Sequence, residues 1–205
     1  GTLQPKRAIG SDTFSPLIEI WQTLHTDPAK LKRWYAERYN RMMAGERVKE
    51  YERIKASYNK KPNGADLLLL CRSCYAGVVR VRQADVYMST PCGPHKPVPP
   101  ESFAQRVDVW HRRTRGTEFR KLDYREAFAL AKPGDLVYCD PPYTHSQAIL
   151  YGAQRFRLYQ LLGVIADAKA RGINVALSID GTKRSRDHVC DLPIPEGLFD
   201  REVLI

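Results

Sequence analysis

The sequence predicts an α/β protein, an open sheet of short strands flanked by helices and interrupted by a mainly helical, basic insertion. Three observations carry that expectation. Short runs that end in an acid, at residues 7–12, 117–123 and 136–140, are each followed by helical spacing or a turn-rich loop. Between the first and second of them lies a long block with apolar residues at helical spacing, closing in a Pro-rich loop. Charge is divided in the same way: residues 30–125 hold 22 Lys and Arg against 10 Asp and Glu, and the rest holds 11 against 13. The net charge of +10 therefore comes from one block, which suits a surface facing a polyanion. For residues 45–61 alone, a solvated helix face is an equally good reading.

Composition bounds the class. With 205 residues, 43% hydrophobic and 27% charged, the chain can bury a real core and has the balance of a soluble globular protein. No apolar run approaches the roughly 20 residues that span a bilayer, and no signal-peptide pattern opens the chain, so no membrane partner is expected. Five cysteines, an odd number, fit a reducing cytoplasm better than a disulfide framework.

Residues 7–12 read as a strand ending in Asp12, followed by Pro16 and the helical spacing Leu17, Ile20, Trp21 and Leu24. A carboxylate at a strand tip can accept from both ribose hydroxyls of a nucleotide-type cofactor, and Asp12 is also a plausible helix N-cap. Residues 28–62 carry Leu31, Trp34, Tyr35, Arg38, Tyr39 and Met42 at helical spacing, and the basic run to Lys60-Lys61-Pro62-Asn63-Gly64 ends that helix. A third helix is expected over residues 66–75, where Leu67 to Leu70 are too dense for a surface position.

Residues 77–82 and 86–89 then read as a hairpin, followed by a loop containing Pro91, Gly93, Pro94, Pro97, Pro99 and Pro100. Arg80, Arg82, His95 and Lys96 interleave with Tyr75 and Tyr87, a pattern that serves phosphate contact together with base contact or stacking. Cys71-x-x-Cys74 invites a zinc reading, but only Cys92 and His95 follow nearby, so Cys71 is read as a buried thiol and no metal is assigned. Residues 103–115 form an amphipathic helix. Residues 117–123 form a strand ending in Asp123, which is also placed to cap a helix over residues 124–131.

Leu136 to Cys139 form a short apolar run after Pro133-Gly134, expected as a buried strand opening into Asp140-Pro141-Pro142-Tyr143. In an open α/β sheet ligands bind at that carboxyl edge. Two prolines fix φ at successive positions and remove two donors, so Asp140, a main-chain carbonyl and the Tyr143 ring are held in fixed relation. Two acceptors beside a π face suit a planar amino-heterocycle, although Asp-Pro-Pro also serves as an ordinary strand-exit turn. Residues 144–152 read as a polar loop over the substrate, with His145 as a DNA or loop contact. A helix then runs from Phe156 to Arg171-Gly172, a buried strand spans residues 173–178, the chain turns back over residues 179–183, and a last strand lies near residues 200–205.

Asp140-Pro141-Pro142-Tyr143 resembles the catalytic motif of S-adenosylmethionine-dependent amino-methyltransferases, in the form typical of enzymes acting on adenine N6 in DNA. The order Arg72, Tyr75, Gly77, Arg80, then Pro91, Gly93 and Lys96, is similar to that of the Dam-type adenine methyltransferases. Val81-Arg82 and Tyr87-Met88 depart from the family pattern at positions that touch DNA, so the target sequence does not carry over.

The resemblance implies an incomplete Rossmann-like methyltransferase sheet, with residues 1–27 and 106–205 as catalytic core and 28–105 as the DNA-recognition insertion with its hairpin. It implies Asp140, Pro141, Pro142 and Tyr143 as catalytic residues. Asp12, Asp123, Tyr124 and Asp140 would meet S-adenosylmethionine, the matching Asp at 123 accepting from the cofactor's adenine amino group. Arg72, Tyr75, Arg80, Arg82, Tyr87 and Lys96 would meet double-stranded DNA, and the setting would be cytoplasmic, with the nucleoid.

The family's Phe-x-Gly-x-Gly loop has no counterpart among the 13 glycines. The expectation is therefore a missing amino-terminal segment or a second polypeptide that completes the cofactor site, and a chain that alone binds cofactor poorly. The alternatives are a cytosine-N4 methyltransferase, a methyltransferase of protein glutamine or RNA, and a catalytically incomplete DNA-binding fragment.

Overall fold

The computed structural model describes residues 5–82, 87–142, 156–179, 183–185, 188–190 and 194–203. The chain divides into two compact units, Gly1–Asp123 and Tyr124–Ile205. Both mix helices with short parallel strands, as expected of an α/β protein. Among the described residues no helix is long and apolar enough to cross a membrane.

In the first unit, β1 (Ala8–Asp12) pairs in parallel with β2 (Thr117–Lys121), with Ala8 opposite Thr117 and Asp12 opposite Lys121. The long connection between them holds α1 (Ser15–Thr26), α2 (Pro28–Ala44), α3 (Arg47–Lys60), α4 (Gly64–Ser73), a 3-10 turn (Tyr75–Gly77) and α5 (Pro100–Arg113). Pro28 opens α2 at a position whose N–H has no helical partner in any case, and Asp27 caps it by accepting from the Lys30 amide at 2.9 Å. The single helix expected over residues 28–62 is two helices. Gly45 is extended at φ −121° and ψ −161°, and α3 starts again at Arg47. A glycine in a helix interior costs about 1 kcal/mol relative to alanine, so a break there is cheap.

Asn63 caps α4 by accepting from the Asp66 amide at 2.8 Å, and the leucines of α4 are buried as their density implies. Asp66 is itself buried and accepts from Arg38 Nε at 2.7 Å on α2, Ser57 Oγ at 2.9 Å on α3 and Asn63 Nδ2 at 2.9 Å. One carboxylate thus ties three helices. In the core of the same unit Tyr35, Met42, Tyr51, Leu69 and Leu70 are sealed from solvent, each contributing about 1.5–3 kcal/mol of burial for the aliphatic and aromatic side chains. Tyr35 stacks on Phe103 with ring centroids 4.1 Å apart and donates to the Val98 carbonyl, and Tyr51 donates to that of Thr90. The buried polar ends of both rings are satisfied in this way.

In the second unit, α6 (Tyr124–Leu130) and α7 (Leu158–Ala170) accompany the parallel pair β3 (Leu136–Cys139) and β4 (Asn174–Leu177). Phe128, Leu161, Leu162, Ile165 and Ile173 form its core. Gly172, at φ +77°, takes a conformation that favours glycine after α7, and its carbonyl accepts from Gly134 N at 2.8 Å, fixing how the two strands enter. An antiparallel pair, β5 (Lys183–Ser185) and β6 (His188–Cys190), was not foreseen in the sequence.

Two strand expectations need correction. The strands at 136–139 and 173–178 are not buried on both faces. Val137, Cys139, Val175 and Leu177 pack on the core, whereas Leu136 and Tyr138 are 56% and 66% exposed. In a strand successive side chains alternate between faces, and here α6 and α7 supply one core for one face. The strand expected near residues 200–205 is also absent from the described part of that range: residues 201–203 form none, and the chain instead anchors through Leu198 and Phe199 on the core.

Candidate functional site

At the carboxyl edge of the first pair, Leu122 N donates to the Asp12 carbonyl at 3.2 Å, carrying the ladder one residue beyond β2. Asp12 and Asp123 therefore follow one another onto the same edge of adjoining strands. Asp12 Oδ1 accepts from the Phe14 amide at 2.7 Å, which turns the chain into α1. A carboxylate has about four acceptor sites, so this turn leaves capacity for a further donor. The residue thus does what its capping reading requires without excluding the ribose reading. Asp123 is half-buried and immediately precedes α6, whose first residue Tyr124 lies under the Arg125 guanidinium, 4.6 Å from its ring centroid.

Asp140 stands at the carboxyl edge of the second pair. Ser178 N donates to the Cys139 carbonyl at 2.8 Å, so Asp140 is the first residue past the ladder. Its side chain is exposed and Pro141 and Pro142 are half-buried. Burial pushes the Cys139 thiol up to about 11, so at neutral pH it stays uncharged and adds no negative field beside that carboxylate. Tyr143 and the whole stretch 143–155, with His145, lie outside the described residues, as do residues 180–182.

The basic segment follows α4. Arg72 is exposed at the helix end, and Tyr75 is exposed on the 3-10 turn. Ala76 holds φ +55°, a region that side chains other than glycine enter reluctantly. Val79, Val81 and Met88 are buried while Arg80 and Arg82 are exposed, so the alternation of a strand puts cations outward over an apolar anchor. The Arg82 guanidinium lies 4.3 Å from the Tyr87 ring centroid. Lys96 is exposed on the loop beyond.

In place of a regular hairpin ladder the described residues show two isolated antiparallel bridges, Val81 with Met88 and Cys74 with Cys92. Thr90 Oγ accepts from Arg80 N and donates to the Val78 carbonyl, both at 2.8 Å. Asn59 accepts from Met88 N and donates to its carbonyl, and Arg47 donates to the carbonyls of Gly93, Pro94 and His95. Sequence reasoning missed Asn59 and Arg47, because each acts on backbone atoms at long range and leaves no local pattern.

An open depression of about 630 Å³ is lined by Gln22, His25, Thr26, Glu118 and Phe119, at the amino end of β2 and away from Asp12 and Asp123. Its position at the wrong edge of the strands separates it from the acids. Among the described residues no three His, Cys, Asp or Glu are grouped to hold a metal ion.

The family model described as D12 class N6 adenine-specific DNA methyltransferase matches residues 2–190. Two DNA adenine methylases of Vibrio cholerae serotype O1, from classical and El Tor strains, are each 27% identical to the chain over 198 residues, covering 88% of it and 68% of the relative. A DNA N-6-adenine-methyltransferase of Escherichia phage P1 is 24% identical over 193 residues, covering 86% of the chain and 24% of that protein.

Proposed function

Because the chain belongs to the D12 class N6 adenine-specific DNA methyltransferases, we propose how its own residues bring about methylation of adenine N6 in DNA. The adenine amino lone pair is delocalised into the ring and is a poor nucleophile. The Asp140 carboxylate and the Pro141 carbonyl accept the two N6 hydrogens, favouring a more tetrahedral nitrogen whose lone pair is free to attack. Pro141 and Pro142 hold those acceptors rigid beforehand, so little reorganisation is needed as positive charge develops on nitrogen. Tyr143 stacks on the base. S-adenosylmethionine, when bound, supplies an electrophilic methyl on a sulfonium. Asp12 and Asp123, two carboxylates at adjoining strand ends, would hold its nucleoside part by accepting from the ribose hydroxyls and the adenine amino group, and Tyr124 would pack against the adenine.

Residues 1–27 and 106–205 are, on this reading, the Rossmann-like methyltransferase core, and residues 28–105 are the recognition insertion. Arg72, Arg80, Arg82 and Lys96 meet phosphates, with Tyr75 and Tyr87 against bases. The target base is extruded from the duplex, at a cost of a few kcal/mol offset by those contacts. The observation that carries the account is the exposed Asp140 carboxylate, one residue past the β3 ladder and followed by two prolines.

Asp140→Ala is expected to lower methyl transfer by at least about 10³-fold while leaving DNA affinity within about twofold, since the lost acceptor acts mainly in the transition state. Radiolabelled methyl transfer and duplex binding measured side by side check this, and retained transfer removes Asp140 from the mechanism.

A further inference from the structure

Cys74, the residue that ends α4, and Cys92, in the Pro-rich loop, are paired across an isolated antiparallel bridge. Its hydrogen bonds run from Tyr75 N to the Pro91 carbonyl at 2.9 Å and from Gly93 N to the Ser73 carbonyl at 2.7 Å. The two cysteines therefore face each other at a position that is not itself hydrogen-bonded, where Cα atoms stand about 4.5 Å apart and side chains leave on the same face. A disulfide bridges Cα separations of about 4.4–6.8 Å.

Close approach of the two segments is built in at Gly93. A Cβ there would come within 2.7 Å of the Cys74 carbonyl oxygen, so no side chain can separate the strands. Arg47 clamps the far side through the carbonyls of Gly93, Pro94 and His95. We infer that Cys74 and Cys92 are a thiol pair that closes reversibly into a disulfide, a modification site distinct from the residues assigned to methyl transfer.

The two thiols are unequally placed. Cys74 is 6% exposed and Cys92 is half-buried, so an oxidant in solution meets Cys92 first. Burial raises both thiols, and the Arg47 guanidinium, with its Nη1 3.5 Å from Cys92 Sγ, opposes that rise at Cys92 and favours the attacking thiolate. The oxidant is a low-molecular-weight disulfide. The Cys92 thiolate attacks one of its sulfurs, forms a mixed disulfide and expels one small thiolate, which takes up a proton. Cys74, deprotonated, then attacks Cys92 Sγ and expels the second. Two protein thiols are oxidised, one small disulfide is reduced to two thiols, and atoms and electrons balance. In the reduced chain Cys74 Sγ lies 3.9 Å from the Cys71 carbonyl and Cys92 Sγ lies 3.6 Å from that of Gly93. Side-chain rotation gives up these weak contacts and, at Cys92, the contact with Arg47.

Cys71 is the competing partner, one helical turn before Cys74. Its thiol is pushed up to about 12, first by burial and then by Cys74. It sits within α4 and has no bridge to the loop, so it stays reduced. The test equilibrates the folded chain with mixtures of reduced and oxidised glutathione, alkylates the remaining thiols and maps the cysteine peptides by mass spectrometry. A linked Cys74–Cys92 peptide is expected in the native chain and in Cys71→Ser. With Cys74→Ser, Cys92 stops as a stable glutathione adduct, and with Cys92→Ser, Cys74 stays free. The inference is overturned if the native chain stops at the Cys92 adduct, if the link involves Cys71, if both thiols stay free across the range, or if the link forms only in urea.

Discussion

Three donors converge on Asp66 from α2, α3 and the cap of α4. Arg38 is its ion-pair partner, with side chains 16% and 5% exposed. Replacing two such charges together by apolar groups can be neutral, but removing one partner strands the other. Asp66→Ala should therefore cost about 3–5 kcal/mol, read as a lower urea midpoint at unchanged slope, and Arg38→Met in the same chain should recover part of it. Legibility in the sequence differs sharply between this acid and Asp140. Asp140 announces itself by two prolines and a strand, all within a few residues. Asp66 sits among leucines, and its partners at 38, 57 and 63 are assembled only by folding.

At the scale of elements, the β1–β2 pair depends on one missing side chain. A Cβ on Gly10 would lie 2.8 Å from the Phe119 ring, and that ring cannot withdraw freely because it stacks on Trp21 with centroids 5.2 Å apart. Gly10→Ala should destabilise by about 1–3 kcal/mol through overpacking. It should also shift the Trp21 emission spectrum as the stack opens. An unshifted spectrum with full stability would mean that the ring moves at no cost. Strand tips, helix spacing and α4 were legible because period and apolar density are local properties. The break at Gly45 was not, since the aromatic spacing of α2 runs straight into the basic spacing of α3. Nor was the one-sided burial of β3 and β4. Four apolar residues in a row read as buried on both faces, and only a count of the elements that cover them corrects it.

Over the whole molecule, the basic excess of residues 30–125 is the largest electrostatic feature, and its outward cations stand over a buried apolar anchor. If Arg80, Arg82 and Lys96 each neutralise a phosphate, each change to alanine lowers the slope of log affinity against log salt by about 1, and does so on any duplex sequence. Fluorescence anisotropy across a salt series measures this, and an unchanged slope removes that residue from the interface. Tyr75 and Tyr87 should instead alter discrimination between duplexes with little change in slope.

The carboxylate shared by α2, α3 and α4 also sets how this part of the chain opens. Three helices that hold one charge in common cannot fray one at a time, since each departure exposes the same ion pair. Their backbone amides should thus exchange with deuterium as a single group, with matched protection from the middle of α2 to the middle of α4, while the amides of α7 follow a separate curve.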